Sequence, residues 1–365
     1  MSFNTYAGKT VLVTGHTGFK GSWLSMWLLK LGANVIGISD NIPSVPSNFV
    51  ASNLEKLVES HSFNVCDDKS LSALIKKTKP DFIFHLAAQA LVRHSYEDPV
   101  KTITTNALGT TNVLETIRLN DEPIVAVMIT SDKAYDNVEW MWGYRENDRL
   151  GGKDPYSASK GMAELVIRSY VESFFNNADS RIRIGVTRAG NVIGGGDWAA
   201  DRIVPDCMKA WSKNNIVDIR NLGATRPWQH VLEPLSGYLS LGENLLNSDR
   251  FHGEAYNFGP PANQNFTVKE LIGEMTNHWE NVRWNDASNK DQIYSECSQL
   301  KLNCDKAHFD LNWLPTLNFE ETVEMTVNWY KEFYENKSNK MQEYSLRQID
   351  KYSSIAKMQG AKWAN

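Results

Sequence analysis

The sequence predicts an α/β fold: a doubly wound parallel sheet, followed by a smaller, mixed α/β domain in the C-terminal part. Three observations carry this. Over residues 9–130, short β-branched runs alternate with helix-length amphipathic stretches, the pattern of right-handed βαβ crossovers. The run IVAVMIT at 124–130 is apolar almost throughout, as a strand covered on both faces must be. Gly15, Gly18 and Gly21 stand in TGHTGFKG, between the first such strand and the first helix. The 365 residues fit roughly two domains at ~150 residues each.

In order, residues 9–13 read as a strand, and 23–31 as a helix that stops at Gly32. Residues 34–39 are a strand, 71–77 a helix, 81–86 a strand, 104–119 a helix and 124–130 a strand. Residues 136–153 break the pattern: DNVEWMWGYRENDRLGGK is polar and aromatic without a clean period. Loops that long in a compact fold are usually functional. We expect this one to order over bound substrate, with Tyr144 or Arg145 beside it. A long helix follows, capped by Asp154 with Pro155 in its first turn and an apolar stripe of Met162, Leu165, Val166 and Tyr170. Residues 183–187 form another strand. Beyond Gly190 the segments shorten, with prolines at 205, 227, 260, 261 and 315. We therefore divide the chain into a first domain, 1–190 with return segments at 228–258, and a second, 191–227 with 259–335. The polar tail, 336–365, is expected to fray at its end.

Composition excludes several classes. Lysine and arginine total 38 against 43 acidic residues, a net charge of −5, which gives no electrostatic reason to bind nucleic acid or an anionic membrane. No run reaches the ~18 apolar residues of a membrane span. The N-terminal MSFNTYAGKT has neither a basic nor an apolar signal region. Cys66, Cys207, Cys297 and Cys304 are scattered and read as reduced thiols, which suits the cytoplasm. The eight histidines are dispersed, with no HxH or HExxH spacing, so no metal site is expected. Several of the twelve tryptophans (Trp140, Trp142, Trp198, Trp228) keep polar company, a setting common in pocket walls, although core filling is the default.

The remaining residues suggest chemistry. The glycine spacing is GxxGxxG, a Rossmann-type turn that lets a pyrophosphate reach the amides opening a helix. Asp40 stands near the end of the second strand and arginine is absent there, which favours NAD over NADP. Tyr156 and Lys160 lie four apart on one helix face, and an ammonium beside a phenol favours the phenolate, a base for a sugar hydroxyl.

TGHTGFKGSW, FHLAAQALVRHSY, TSDKAYDN, YSASKG and RAGNVIGGGDW resemble the extended short-chain dehydrogenase/reductase family. Within it, the likeness is to the nucleotide-sugar 4,6-dehydratases, nearest to those acting on CDP-glucose. The resemblance implies NAD as cofactor, a sugar nucleotide (CDP-glucose) as substrate, and a homodimer or dimer of dimers. It also implies roles. Ser131, Asp132, Lys133, Tyr156 and Lys160 would be catalytic, with Thr130 or Ser131 bonding the sugar, Asp132 the general acid and Lys133 the base at C5. The cofactor would lie on Gly15, Thr17, Gly18, Phe19, Lys20, Gly21, Asp40, Asn64, Val65, Leu86, Ala87, Ala88, Thr130, Tyr156 and Lys160. The substrate would meet Gln89, Arg93, Tyr144, Asn191, Trp198, Arg202, Arg220 and Arg226. Ser39 falls where other members carry the ribose-binding acid, and Asn64 where an adenine-contacting aspartate is frequent.

Neighbouring side chains on a strand point apart, so Asp132 and Lys133 can share a substrate only if the backbone turns after Thr130. A nucleotide-sugar 4-epimerase is the nearest rival function: it needs the same glycines and Tyr–Lys pair but no acid–base pair for water loss. A non-catalytic NAD-binding protein would need neither pair.

Overall fold

The computed structural model describes residues 3–120, 122–177, 180–261, 263–287, 299–336 and 340–364; Cys297 lies outside them. Seven strands, β1 (Thr10–Thr14), β2 (Asn34–Ser39), β3 (Glu59–Ser62), β4 (Phe82–His85), β5 (Ile124–Ile129), β6 (Ile182–Arg188) and β7 (Ala255–Asn257), form one sheet. All its pairs are parallel, in the order β7-β6-β5-β4-β1-β2-β3. This is the expected doubly wound sheet. The order reverses between β1 and β4, so the C-terminal ends of those strands open the crevice where such folds take ligands.

Strand alternation builds a core on each face. Val11 and Val13 of β1, with Phe82, Phe84, Val125 and Val127, pack toward α1 (Phe19–Lys30). Leu12, Ile83, Ala126 and Met128 pack the other way, onto α2 (Asp68–Thr78), α3 (Gly109–Arg118) and α4 (Pro155–Tyr170). Each such side chain removed from water contributes roughly 1.5–3 kcal/mol. α6 (Leu232–Asn247) returns to the first face through Leu235 and Leu239, after α5 (Ile203–Trp211). β3 is not legible in the sequence, because ESHS is a polar edge strand with no apolar alternation. The expected helix at 104–119 is two pieces: a π-helical turn, Thr104–Leu108, leads into α3.

The stripe on α4 divides: Val166 and Tyr170 pack against the sheet-side core, whereas Met162 is 43% and Leu165 57% exposed, and Tyr156, Ser159, Lys160, Ala163 and Ile167 face inward. The tail is folded through its described residues, to Ala364, where fraying at the end is expected. After α7 (Phe319–Tyr334), α8 (Met341–Met358) packs on α1, and Trp363 stacks on Phe3 and Tyr352. The inward face of α8, Met341, Ser345, Gln348, Ile349, Tyr352 and Ala356, keeps helical spacing but is half polar or small, which hides it in a polar sequence.

The rest is short pairings. Val192–Ile193 pairs with Gln229–His230, Thr225–Arg226 with Phe266–Thr267, and Val217–Ile219 with Trp284–Asp286. Of these, Gln229 and Arg226 line the clefts described next.

Candidate active site

The glycine turn is built for close approach. Gly15 has φ +74°, and a Cβ there would lie 2.8 Å from the Ala87 nitrogen. A Cβ on Gly21 would lie 2.1 Å from the Gly15 carbonyl oxygen. Gly18 caps α1 without a side chain, so the first amides of the helix are not taken by a capping oxygen. Leu86 and Ala87 bond Thr14 and close the turn from β4. At the far corner, Asn64 donates to Asp40 at 3.0 Å, while its own oxygen accepts from the Cys66 amide. Ser39 bonds the Thr17 amide and His16. This cradle, with a carboxylate at the end of β2, fits a dinucleotide.

After Thr130 the backbone leaves the strand, as the sharing of one substrate by Asp132 and Lys133 requires. Residues Asp132–Ala134 form a 3-10 turn, with Ser131 as its cap accepting from the Lys133 amide. Both side chains now reach one cleft, whose lining includes Asp132, Lys133, Asn191, Arg226 and Leu300. An adjoining cleft is lined by Asp132, Gly190, Gln229 and the 259–261 segment. Tyr156 is buried, and Ser131 and Asp132 both act on its phenol, while the Ser131 hydroxyl donates to the Asp132 carboxylate at 2.9 Å. Burial pushes that phenol up to about 12; Ser131 and the Arg202 guanidinium act against it. Burial also lowers Lys160 to about 8, with Glu164 opposing. Lys20 turns its ammonium inward to within 3.5 Å of the Tyr238 hydroxyl; burial takes it to about 8, while Asp132 pulls the other way. The Asp132 and Asp154 carboxylates also push the Tyr156 phenol up, and Arg202 is the cation that opposes them.

A family model described as GDP-mannose 4,6 dehydratase matches residues 12–326. The chain belongs to this dehydratase family. CDP-glucose 4,6-dehydratase of Salmonella typhimurium (strain LT2) is 45% identical, over 96% of this chain and 98% of that protein. UDP-glucose 4-epimerase of Mycoplasma pneumoniae is 23% identical, over 89% and 97%. Among solved structures, the epimerase Mth375 of Methanothermobacter thermautotrophicus superposes with TM-score 0.77 at 26% identity, covering 92% of this chain and 96% of that one. The dTDP-glucose 4,6-dehydratase of Bacillus anthracis, solved with NAD, gives 0.73 at 20% identity, covering 90% and 98%.

In this member of the dehydratase family, several expected contacts are committed elsewhere. The Thr130 hydroxyl points to Glu164 and the Thr187 carbonyl, which leaves Ser131 as the hydroxyl beside Tyr156. The Gln89 amide is bonded to Leu91 and Thr102 and shapes its own loop. Tyr144 is buried and stacked between Tyr135 and Trp140, its hydroxyl on Asn137 and the Val138 amide. Trp198 is a core residue packed on Trp329 and Phe333, with its indole N–H on Tyr334. Trp228 is buried too, whereas Trp142 is 69% exposed. The arginines are held by carboxylates: Arg202 by Asp197 at 2.7 Å, and Arg93 and Arg220 both by Asp201. Arg145 pairs with Asp148. The 136–153 loop is already folded, tied down by the Tyr135–Leu150 and Tyr144–Leu302 bridges.

The sequence reading passed over Gly190, Asn106 and Tyr238. A Cβ on Gly190 would collide with the Asp132 carboxylate, and RAGN already carried that signal. Asn106, in the π turn, bonds Gln89 and Ser159 and so joins the Gln89 loop to α4. No motif marks Tyr238. Among the described residues, no group of three metal-ligating side chains is placed to hold a metal.

Proposed function

We propose that the protein is an NAD-dependent nucleotide-sugar 4,6-dehydratase, a hydro-lyase that converts CDP-D-glucose to CDP-4-keto-6-deoxy-D-glucose. One observation carries it: Asp132 and Lys133 share a cleft, and the same Asp132 acts on the buried Tyr156 phenol. Loss of water across C5–C6 is difficult because the C5 proton is not acidic; a ketone at C4 makes it so. Bound NAD supplies the hydride acceptor at C4, a positive ring that brings the raised phenol down, and the hydride returned at C6. Tyr156 takes the O4 proton. Lys133 then removes the C5 proton while Asp132 protonates the departing 6-hydroxyl, releasing water, and C5 is reprotonated at the end. No net redox results. Gly15 to Gly21, Asp40 and the 86–88 segment would hold the cofactor, and Asn191, Arg202, Arg220 and Arg226 the sugar nucleotide, with Arg202 and Arg220 exchanging a carboxylate for diphosphate. Residues 1–190 with 228–258 would thus serve the cofactor, and 191–227 with 259–335 the substrate.

The similarity to CDP-glucose 4,6-dehydratase over nearly the whole of both chains supports cytosine as the base. Among the described residues no helix is long and apolar enough to cross a membrane, and we place the enzyme in the cytoplasm as a homodimer or dimer of dimers. Incubation with CDP-, dTDP-, UDP- and GDP-hexoses tests the reading. CDP-glucose should lose one water by mass and give a product absorbing in alkali. Interconversion of C4 configuration without loss of water would establish an epimerase instead.

A further inference from the structure

We propose that Glu164 and Arg188 are positioning residues that hold the acid–base turn in place for the elimination step. The inference rests on the reading of Asp132 and Lys133 as the acid and base.

The pair is bidentate and interior. Arg188 Nε and Nη2 donate to the two oxygens of Glu164 at 2.8 and 2.9 Å, and each side chain is 4% exposed. A buried ion pair of this kind is weak support for stability, because desolvating both charges offsets most of their attraction. Its other bonds show what it organises. The Thr130 hydroxyl, directly before the turn, donates to Glu164. Arg188 Nη1 donates to the Tyr135 hydroxyl, directly after the turn, at 2.7 Å, and to the Glu146 carbonyl at 2.9 Å. The Tyr135 hydroxyl in turn donates to Asn257, and the guanidinium lies over the Tyr135 ring. One buried unit therefore grips both ends of the segment that carries Ser131, Asp132 and Lys133.

The turn needs an outside grip. A three-residue 3-10 turn has little hydrogen bonding of its own. It begins where β5 ends, and the backbone bonds that reach it, Thr130 N–H to the Thr187 carbonyl and Gly151 N–H to the Ala134 carbonyl, leave the Asp132 and Lys133 side chains to be held by other contacts. Its two functional side chains must meet C5 and the 6-oxygen together, and a misplacement of about 1 Å can cost about 100-fold in rate. Tyr156, by contrast, is placed by α4 itself. The pair should therefore act on elimination more than on oxidation at C4.

Two variants test this with CDP-glucose in deuterium oxide: Arg188→Lys, which cannot fork, and Tyr135→Phe, which leaves the ion pair intact. C4 oxidation is followed as NADH absorbance, elimination as solvent deuterium at C5 and loss of water. Arg188→Lys should slow elimination about 10- to 100-fold, so that bound NADH builds up, and Tyr135→Phe should do so in the same direction but less. KM, and the Kd for NAD by calorimetry, should stay within about twofold of wild type. Deuterium entry at the wild-type rate in both variants, or equal loss of both half-reactions, overturns the proposal. If Arg188→Lys fails to fold, Tyr135→Phe decides alone. Wild-type enzyme that forms neither NADH nor deuterated product overturns the dehydratase reading itself, and this proposal with it.

Discussion

Gly190 and Asp132 are packed together with no room for a methyl group: a Cβ at position 190 would lie 1.8 Å from an Asp132 carboxylate oxygen. The glycine ends the β6 crossing at a point where the backbone itself forms one wall of the acid's site. Gly190→Ala should therefore displace Asp132 without disturbing either core. We expect kcat to fall about 100-fold with NAD affinity retained, measured by steady-state kinetics and calorimetry side by side.

The dinucleotide cradle makes a separate demand. Gly21→Ala puts a methyl group against the Gly15 carbonyl, at 2.1 Å before relaxation, and should abolish NAD binding. In the wild type, calorimetric titration should give tighter binding of NAD than of NADP, because Asp40 repels a 2′-phosphate. The opposite order would remove Asp40 from the ribose site.

Lys133→Met should still oxidise C4, so NADH absorbance rises on adding CDP-glucose, while deuterium entry at C5 and water loss collapse. Tyr156→Phe should block the NADH signal itself. Near-normal deuterium incorporation in Lys133→Met would mean that another residue is the C5 base.

His85 and His230 are both buried, and burial takes each down to about 3 from the usual 6.5. The folded protein thus refuses protons that the unfolded chain accepts. Their contribution to stability is full above pH 6.5 and is lost as the pH falls toward 3, at roughly 1.4 kcal/mol per pH unit for each ring. Urea denaturation at pH 7 and pH 5 should show this loss, and His85→Gln should lose less between the two.

The outward stripe on α4 offers a face for a second copy. Leu165→Glu with Met162→Glu should lower the mass found by sedimentation to that of one chain if the enzyme is a homo-oligomer through this helix. An unchanged mass would place the interface elsewhere.

The local signals were strong enough to determine the apolar strands of the sheet, the glycine turn and the Tyr156–Lys160 face, because each depends on neighbours in sequence, whereas the polar edge strand β3 was not legible. Alternation in β1 sends Val11 and Val13 one way and Leu12 the other, and that needs no tertiary knowledge. The sequence also required a turn after Thr130, since Asp132 and Lys133 cannot share a substrate from an extended strand, and the 3-10 turn is there. What tertiary structure decided is where polar side chains spend their bonds. Gln89, Tyr144 and Trp198 each have partners brought near only by folding: Thr102, Tyr135 and Tyr334. The charge of the site was likewise beyond local reading. Lys160 was expected to ease ionisation of the Tyr156 phenol, but burial is the larger influence and drives it upward. Desolvation is set by everything that packs around a group, and no spacing along the chain encodes it.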